Sequence, residues 1–130
     1  KGRRILLVED VELNREIAQT ILTEAGLQVV CAENGRQAVD YMEQSEPGFV
    51  DLILMDIMMP VMDGYAATRA IRLLPRPDAR TIPILAMTAN AFEEDIAAAR
   101  AAGMNAHLTK PLDPQKLAAA LQTAIHPKKS

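Results

Sequence analysis

Leu52-Ile53-Leu54-Met55-Asp56 is an apolar run that ends in a carboxylate. The form recurs along the chain. Ile5-Leu6-Leu7-Val8 runs into Glu9-Asp10, Ile84-Leu85-Ala86-Met87 into Thr88, and Ala106-His107-Leu108-Thr109 into Lys110-Pro111. Short unbroken apolar runs are the pattern of strands buried on both faces, as in a parallel sheet between helices. If these runs are parallel strands of one sheet, Glu9, Asp10, Asp56, Thr88 and Lys110 meet at its carboxyl edge. Open α/β sheets bind their ligands at that edge.

The intervening segments carry helical spacing. After Asp10, Leu13, Ile17, Ile21 and Leu22 recur at helical intervals, with Ala18 and Ala25 assigned to the same side and Gly26 as the stop. Val29–Ala32 reads as a second strand, and Asn34-Gly35 as the turn into a helix with Ala38, Val39 and Met42 inside. Pro47-Gly48 precedes the strand Val50–Asp56, and a loop with Pro60 and Gly64 leads into a helix from about Tyr65 to Leu74. Pro75, Pro77 and Asp78 mark a connection to the strand Ile82–Thr88. A helix from Glu93 to Ala102 closes at Gly103, and the strand Ala106–Thr109 follows. Asp113 caps a last helix with Leu117, Leu121 and Ile125 as its buried stripe. Five strands alternating with five helices predict an α/β, doubly wound parallel sheet.

Composition narrows the function classes. A chain of 130 residues suits one core, and a net charge of -3 with scattered Lys and Arg gives no footprint for nucleic acid or an anionic membrane. No apolar run approaches the roughly 20 residues of a membrane span, and no signal-peptide pattern opens the sequence. The single cysteine, Cys31, lies in an apolar run and is expected as a small core residue in a reducing compartment.

The acids then specify the chemistry. Unit charges about 4 Å apart repel by about 4 kcal/mol at an effective dielectric of 20, so clustered carboxylates call for a cation. Hard oxygen ligands in a small cleft favour Mg²⁺, and no His or Cys is placed to build a zinc site. Thr88 offers a hydroxyl to a phosphoryl oxygen, and Lys110 one mobile positive charge. There is no Gly-rich phosphate loop. Met58 stands where a haloacid-dehalogenase-type phosphatase would place a second Asp, and no Ser or Cys lies beside a His base. What remains is a carboxylate that accepts a phosphoryl group under Mg²⁺. Such transfer needs mainly positioning and charge neutralisation.

Leu7-Val8-Glu9-Asp10, Asp56-Ile57-Met58-Met59-Pro60-Val61-Met62-Asp63-Gly64, Met87-Thr88-Ala89 and Thr109-Lys110-Pro111-Leu112 together resemble the receiver domain of two-component response regulators. The resemblance implies a flavodoxin-like strand order of 2-1-3-4-5, with residues 1–126 as the receiver and 127–130 as a tail. It implies Asp56 as phosphoacceptor, and Mg²⁺ on Glu9, Asp10, Asp56 and the Met58 backbone carbonyl. Thr88 and Lys110 would hold phosphoryl oxygens. Many regulators carry a Tyr or Phe switch where this chain has His107, so Thr88 and His107 become the switch pair. Asn14, Met58 and Asn90 flank the cleft, and neither His107 nor His126 suits a phosphodonor.

Val11 to Ala18, Met87 to Ala91 and Ala102 to Leu108 look like receivers fused to hybrid sensor histidine kinases. A start at Lys1 rather than Met fits excision from such a chain. The partner is then phosphohistidine on a histidine kinase or phosphotransfer domain. It would dock on the first helix near Asn14 and Arg15, in the cytoplasm, beneath a parent kinase anchored in the inner membrane. By this reading the domain is not itself an enzyme, beyond assisting its own phosphorylation and dephosphorylation. The alternatives are a free-standing regulator that binds a target when phosphorylated, and a small Mg²⁺-dependent phosphatase.

Overall fold

The computed structural model describes residues 3–59, 61–88, 93–109 and 113–125. Its elements alternate: β1 (Arg4–Val8), α1 (Glu12–Glu24), β2 (Gln28–Ala32), α2 (Gly35–Gln44), β3 (Leu52–Asp56), α3 (Gly64–Arg72), β4 (Ile84–Thr88), α4 (Glu93–Ala102), β5 (Ala106–Thr109) and α5 (Pro114–Ile125). The strands form one sheet in the order β2-β1-β3-β4-β5, every pairing parallel. Sheet order reverses direction at β1, so β1 and β3 flank the switch point where such folds open a crevice. The order is the expected one.

Strand alternation sorts the core into two layers. Leu6, Val8, Ile53, Met55, Ile84 and Ala86 pack with Ala38 and Met42 of α2, Ala67 and Ile71 of α3, and Ala99 of α4. Ile5, Leu7, Leu52, Leu54, Leu85 and Met87 face the other way, onto Ala18 and Leu22 of α1 and Leu117 and Leu121 of α5. Each fully buried Leu or Ile contributes about 1.5–3 kcal/mol relative to exposure. Sheet centre and helix stripes therefore hold the domain together. Asn34 caps α2 by accepting from the Gln37 amide at 2.9 Å, and Asp113 accepts from the Gln115 amide at 2.8 Å.

The structure revises several sequence expectations. Pro83 has no amide for the ladder, so β4 begins at Ile84 rather than Ile82. The Asp51 side chain takes the Arg4 amide at 2.8 Å, and β3 begins at Leu52 rather than Val50. On α1, Ala18 and Leu22 are buried, but Leu13 is 64% and Ile17 48% exposed. Leu13 and Leu22 lie about 180° apart around the helix, so they cannot share a face. Cys31 is also exposed, because β2 is an edge strand. The expectations for Asn90, Lys110, Pro111, His126 and the tail 127–130 lie outside the described residues, as does the side chain of Ile125.

Candidate functional site

The carboxyl edge gathers the expected acids. Glu9 and Asp10 follow β1, Asp56 ends β3, and carboxylate oxygens of Glu9, Asp10 and Asp56 all lie within 4.8 Å of one another. Glu9 is 2% and Asp56 3% exposed, while Asp10 is half-buried. Asp56 pairs with Met87 in the sheet, so Thr88 stands one step further along the neighbouring strand, with its side chain largely buried. His107 pairs with Ala86 on β5 and is half-buried, two residues short of the Thr88–Thr109 pair at the edge. Met58, two residues past Asp56, is 78% exposed, among the most exposed large hydrophobic residues described.

Local contacts fix the acid-bearing turns. The Glu9 amide donates to the Ala32 carbonyl at 3.0 Å, which continues the β1–β2 ladder into the site. Val11 is the N-cap of α1 and offers no side-chain cap, but its amide donates to Glu9 Oε2 at 3.2 Å. Arg15, in the second turn of α1, donates from its guanidinium to the Glu9 carbonyl at 2.8 Å. It thereby holds the main chain of the acidic turn.

Asp56 is backed just as closely. The Ile57 amide donates to the Met87 carbonyl at 3.2 Å, and the Gly64 amide to the Ile57 carbonyl at 2.9 Å. A side chain at Gly64 would run into the Asp56 carbonyl, so only glycine lets α3 begin this close under the acid. Asp63 caps α3 by accepting from the Ala66 amide at 2.8 Å. In the loop between, Val61 adopts φ 70°, a rare conformation for a β-branched residue. Strain of this kind, of order 1–3 kcal/mol, gathers where function constrains the backbone.

Sequence reasoning found the acids but missed Arg15, Gly64 and Val61 as supports. An Asp-Gly pair ahead of a helix was the available signal for Gly64. Nothing in the sequence tied Arg15 to the Glu9 carbonyl. Asn14 and Arg15, expected on the open side of α1, are half-buried. Instead, among the described residues, Val11 at the cap of α1, Leu13 and Ile17 on that helix, and Met58 and Val61 after β3 are exposed apolar residues in the segments that follow the acids.

Oxygens on one Mg²⁺ lie roughly 3–4.2 Å apart, so this carboxylate set fits the ion after a small closing movement. The family model described as response regulator receiver domain matches residues 5–122. The chain belongs to that family.

A crystal structure of the receiver domain of a sensor histidine kinase from Pseudomonas aeruginosa, with magnesium coordinated in its active-site cleft, is 41% identical. It superposes with a TM-score of 0.85 over 96% of this chain and 98% of that one. Sensor protein GacS of Pseudomonas syringae pv. syringae is 39% identical over 91% of this chain and 13% of its own length. Hybrid signal transduction histidine kinase I of Dictyostelium discoideum is 35% identical over 95% of this chain and 7% of its own. The receiver thus spans a small part of these curated relatives. Among the described residues no helix is long and apolar enough to cross a membrane.

Proposed function

We propose that this receiver takes a phosphoryl group from phosphohistidine onto Asp56, as one relay step of a hybrid sensor histidine kinase. The observation that carries the reading is the meeting of Glu9, Asp10 and Asp56 oxygens within 4.8 Å at the ends of β1 and β3. Glu9, Asp10, Asp56 and the Met58 carbonyl would hold Mg²⁺, which when bound neutralises charge on the phosphoryl oxygens. An Asp56 oxygen attacks phosphorus, the bond to the donor imidazole nitrogen breaks, and the electron pair leaves with the imidazole. Thr88 hydrogen-bonds one phosphoryl oxygen, and Lys110 pairs with another. Burial of Asp56 keeps bulk water from the new acyl phosphate. Thr88 and His107 form the switch pair by which the change reaches β5. The receiver unit is residues 1–126, and its place is the cytoplasmic side of a parent kinase.

The apolar rim supports a helical protein partner. Val11, Leu13, Ile17, Met58 and Val61 are exposed large hydrophobics beside an acidic recess, which suits a helix pair that presents a phosphohistidine at its centre. Such a contact belongs at the small, transient end of interface sizes. Leu13→Glu should slow transfer from a phosphohistidine-bearing domain at least tenfold and leave labelling by a small acyl phosphate unchanged. Slowing with both donors would place the damage in the cleft, and slowing with neither would remove α1 from the docking surface. Arg15→Glu should slow both donors, because it releases the Glu9 main chain.

A further inference from the structure

Helix α4 is held by unusual means. Its sequence Glu93-Glu94-Asp95-Ile96-Ala97-Ala98-Ala99-Arg100-Ala101-Ala102 buries only Ala99 and Ala102, with Ile96 half-buried. Two alanines bury little apolar surface, so packing alone grips this helix far less than the leucines grip α1 or α5. Polar contacts from one face of α3 make up the difference. Tyr65, Thr68 and Arg72 recur at i, i+3 and i+7, which places them in one stripe.

At the start of α4, the Tyr65 hydroxyl donates to the Asp95 carbonyl at 3.3 Å. At its end, Arg72 donates to the Gly103 carbonyl from Nε at 3.1 Å and from Nη2 at 2.7 Å. The same guanidinium donates to the carbonyls of Ala79 at 3.0 Å and Ile82 at 2.7 Å, and to Asn105 Oδ1 at 3.0 Å. Asn105 Oδ1 also accepts the Ile84 amide at 2.8 Å. Gly103 sits at φ 112°, and a side chain there would press on the Arg72 stem. Thr68 lies between the two contacts, fully buried, its Oγ1 without a hydrogen-bond partner among the described residues. The middle of the stripe therefore adds contact but no bond.

We propose that α3 holds α4 by two unequal latches, a single long hydrogen bond from Tyr65 and a multiple clamp from Arg72. Movement of α4 on phosphorylation is then a pivot about Gly103 that opens the Tyr65 end. The second half of this proposal rests on Asp56 being the phosphoacceptor; the latches themselves do not. The asymmetry follows from the bonds. Opening the Tyr65 end loses one neutral hydrogen bond, whereas opening the other end breaks two charge-assisted bonds to the Gly103 carbonyl from a guanidinium that its bonds to Ala79 and Ile82 hold in place. Burial and the nearby Asp95 and Asp63 charges push the Tyr65 phenol up, so it stays a donor throughout the physiological range.

Amide exchange on the full chain tests both halves. Without ligand, Tyr65→Phe should quicken exchange at residues 97 to 99 about fivefold, the worth of one hydrogen bond, and leave residues 103 to 105 within about twofold. Arg72→Lys should do the reverse, and it keeps the positive charge and the aliphatic stem. With Mg²⁺ and the phosphoryl mimic beryllofluoride, the unaltered protein should loosen residues 97 to 99 and not 103 to 105. Tyr65→Phe should then bind the mimic about fivefold tighter, since the latch no longer opposes opening. Equal quickening of both ends by Tyr65→Phe would overturn the latches. Loosening of residues 103 to 105 by the mimic, or unchanged mimic affinity in Tyr65→Phe, would overturn the pivot. Absence of any mimic at Asp56 by fluorine NMR would remove the phosphoacceptor reading and the pivot with it, while ligand-free exchange still decides on the latches.

Discussion

The two ends of the sheet are built on opposite plans. At the amino end, arginines tie the segments that enter the strands. Arg72 bridges the approaches to β4 and β5, and Arg76 pairs with Asp78 at 2.7 Å. Asp78 in turn accepts the Gly48 amide at 2.9 Å ahead of β3. Arg4, at the start of β1, donates to Gln28 Oε1 at 2.7 Å and lies over the Phe49 ring at 3.7 Å. At the carboxyl end, like charges are brought together instead, on Glu9, Asp10 and Asp56. A glycine is spent under Asp56, and Val61 is held in a rare conformation. One end is arranged for stability and the other for chemistry, so substitutions at the two should shift stability in opposite directions.

The largest expected effect lies at the amino end. Arg72→Ala removes donors to Gly103, Ala79, Ile82 and Asn105 at once. It should cost about 3 kcal/mol in urea unfolding, since several half-buried acceptors lose their partner together. A loss under about 1 kcal/mol would show that the amino end is not the structural anchor.

At the carboxyl end the sign reverses. Asp10→Asn relieves repulsion among Glu9, Asp10 and Asp56, and should raise metal-free stability by about 1 kcal/mol. Mg²⁺ should raise the Tm of the unaltered protein and not that of Asp10→Asn, because an ion stabilises only the state that binds it. Destabilisation by Asp10→Asn without metal would break the contrast between the two ends.

A smaller effect sharpens it with pH. Burial alone would raise the Asp78 carboxyl, but hydrogen bonds from Arg76 and the Gly48 amide and the Arg76 charge outweigh it and hold the group below its ordinary 3.8. A depressed folded value contributes stability that is present above the unfolded value and lost as pH falls through the folded one. Asp78→Asn should therefore cost under about 1 kcal/mol near neutrality and nothing at the acid end of that window. A constant cost across the window would mean that the carboxylate's charge is not what the loop uses.

The sequence reveals these ends unequally. Strand cores and the acids after them were legible because burial on both faces forces unbroken apolar runs, and the residue that ends such a run sits at the edge. The bounds of α4 and β5 and the Asp113 cap were legible from local spacing and turn chemistry, whereas Asn34 was read as a turn residue and is in the structure the cap of α2. Leu13 and Ile17 misled because spacing records which residues share a stripe, not which stripe turns inward. Here the smaller Ala18 and Leu22 stripe does. Cys31 misled because an edge strand keeps an apolar sequence while one side stays open. The Arg72 clamp was invisible, since its acceptors are main-chain carbonyls, which every residue possesses. Gly64 could be read only as a turn glycine, because its neighbour, the Asp56 carbonyl, is set by tertiary packing.

The central claim is that the carboxyl-edge acids serve to place one phosphoryl group on Asp56 with Mg²⁺. Incubation of the chain with a small acyl phosphate, followed by peptide mapping in a mass spectrometer, tests it most directly. A single phosphoryl group on Asp56, lost with excess EDTA and absent in Asp56→Asn, is the expected result. Phosphate on Asp10, His107 or His126, or labelling that survives EDTA or Asp56→Asn, would contradict it.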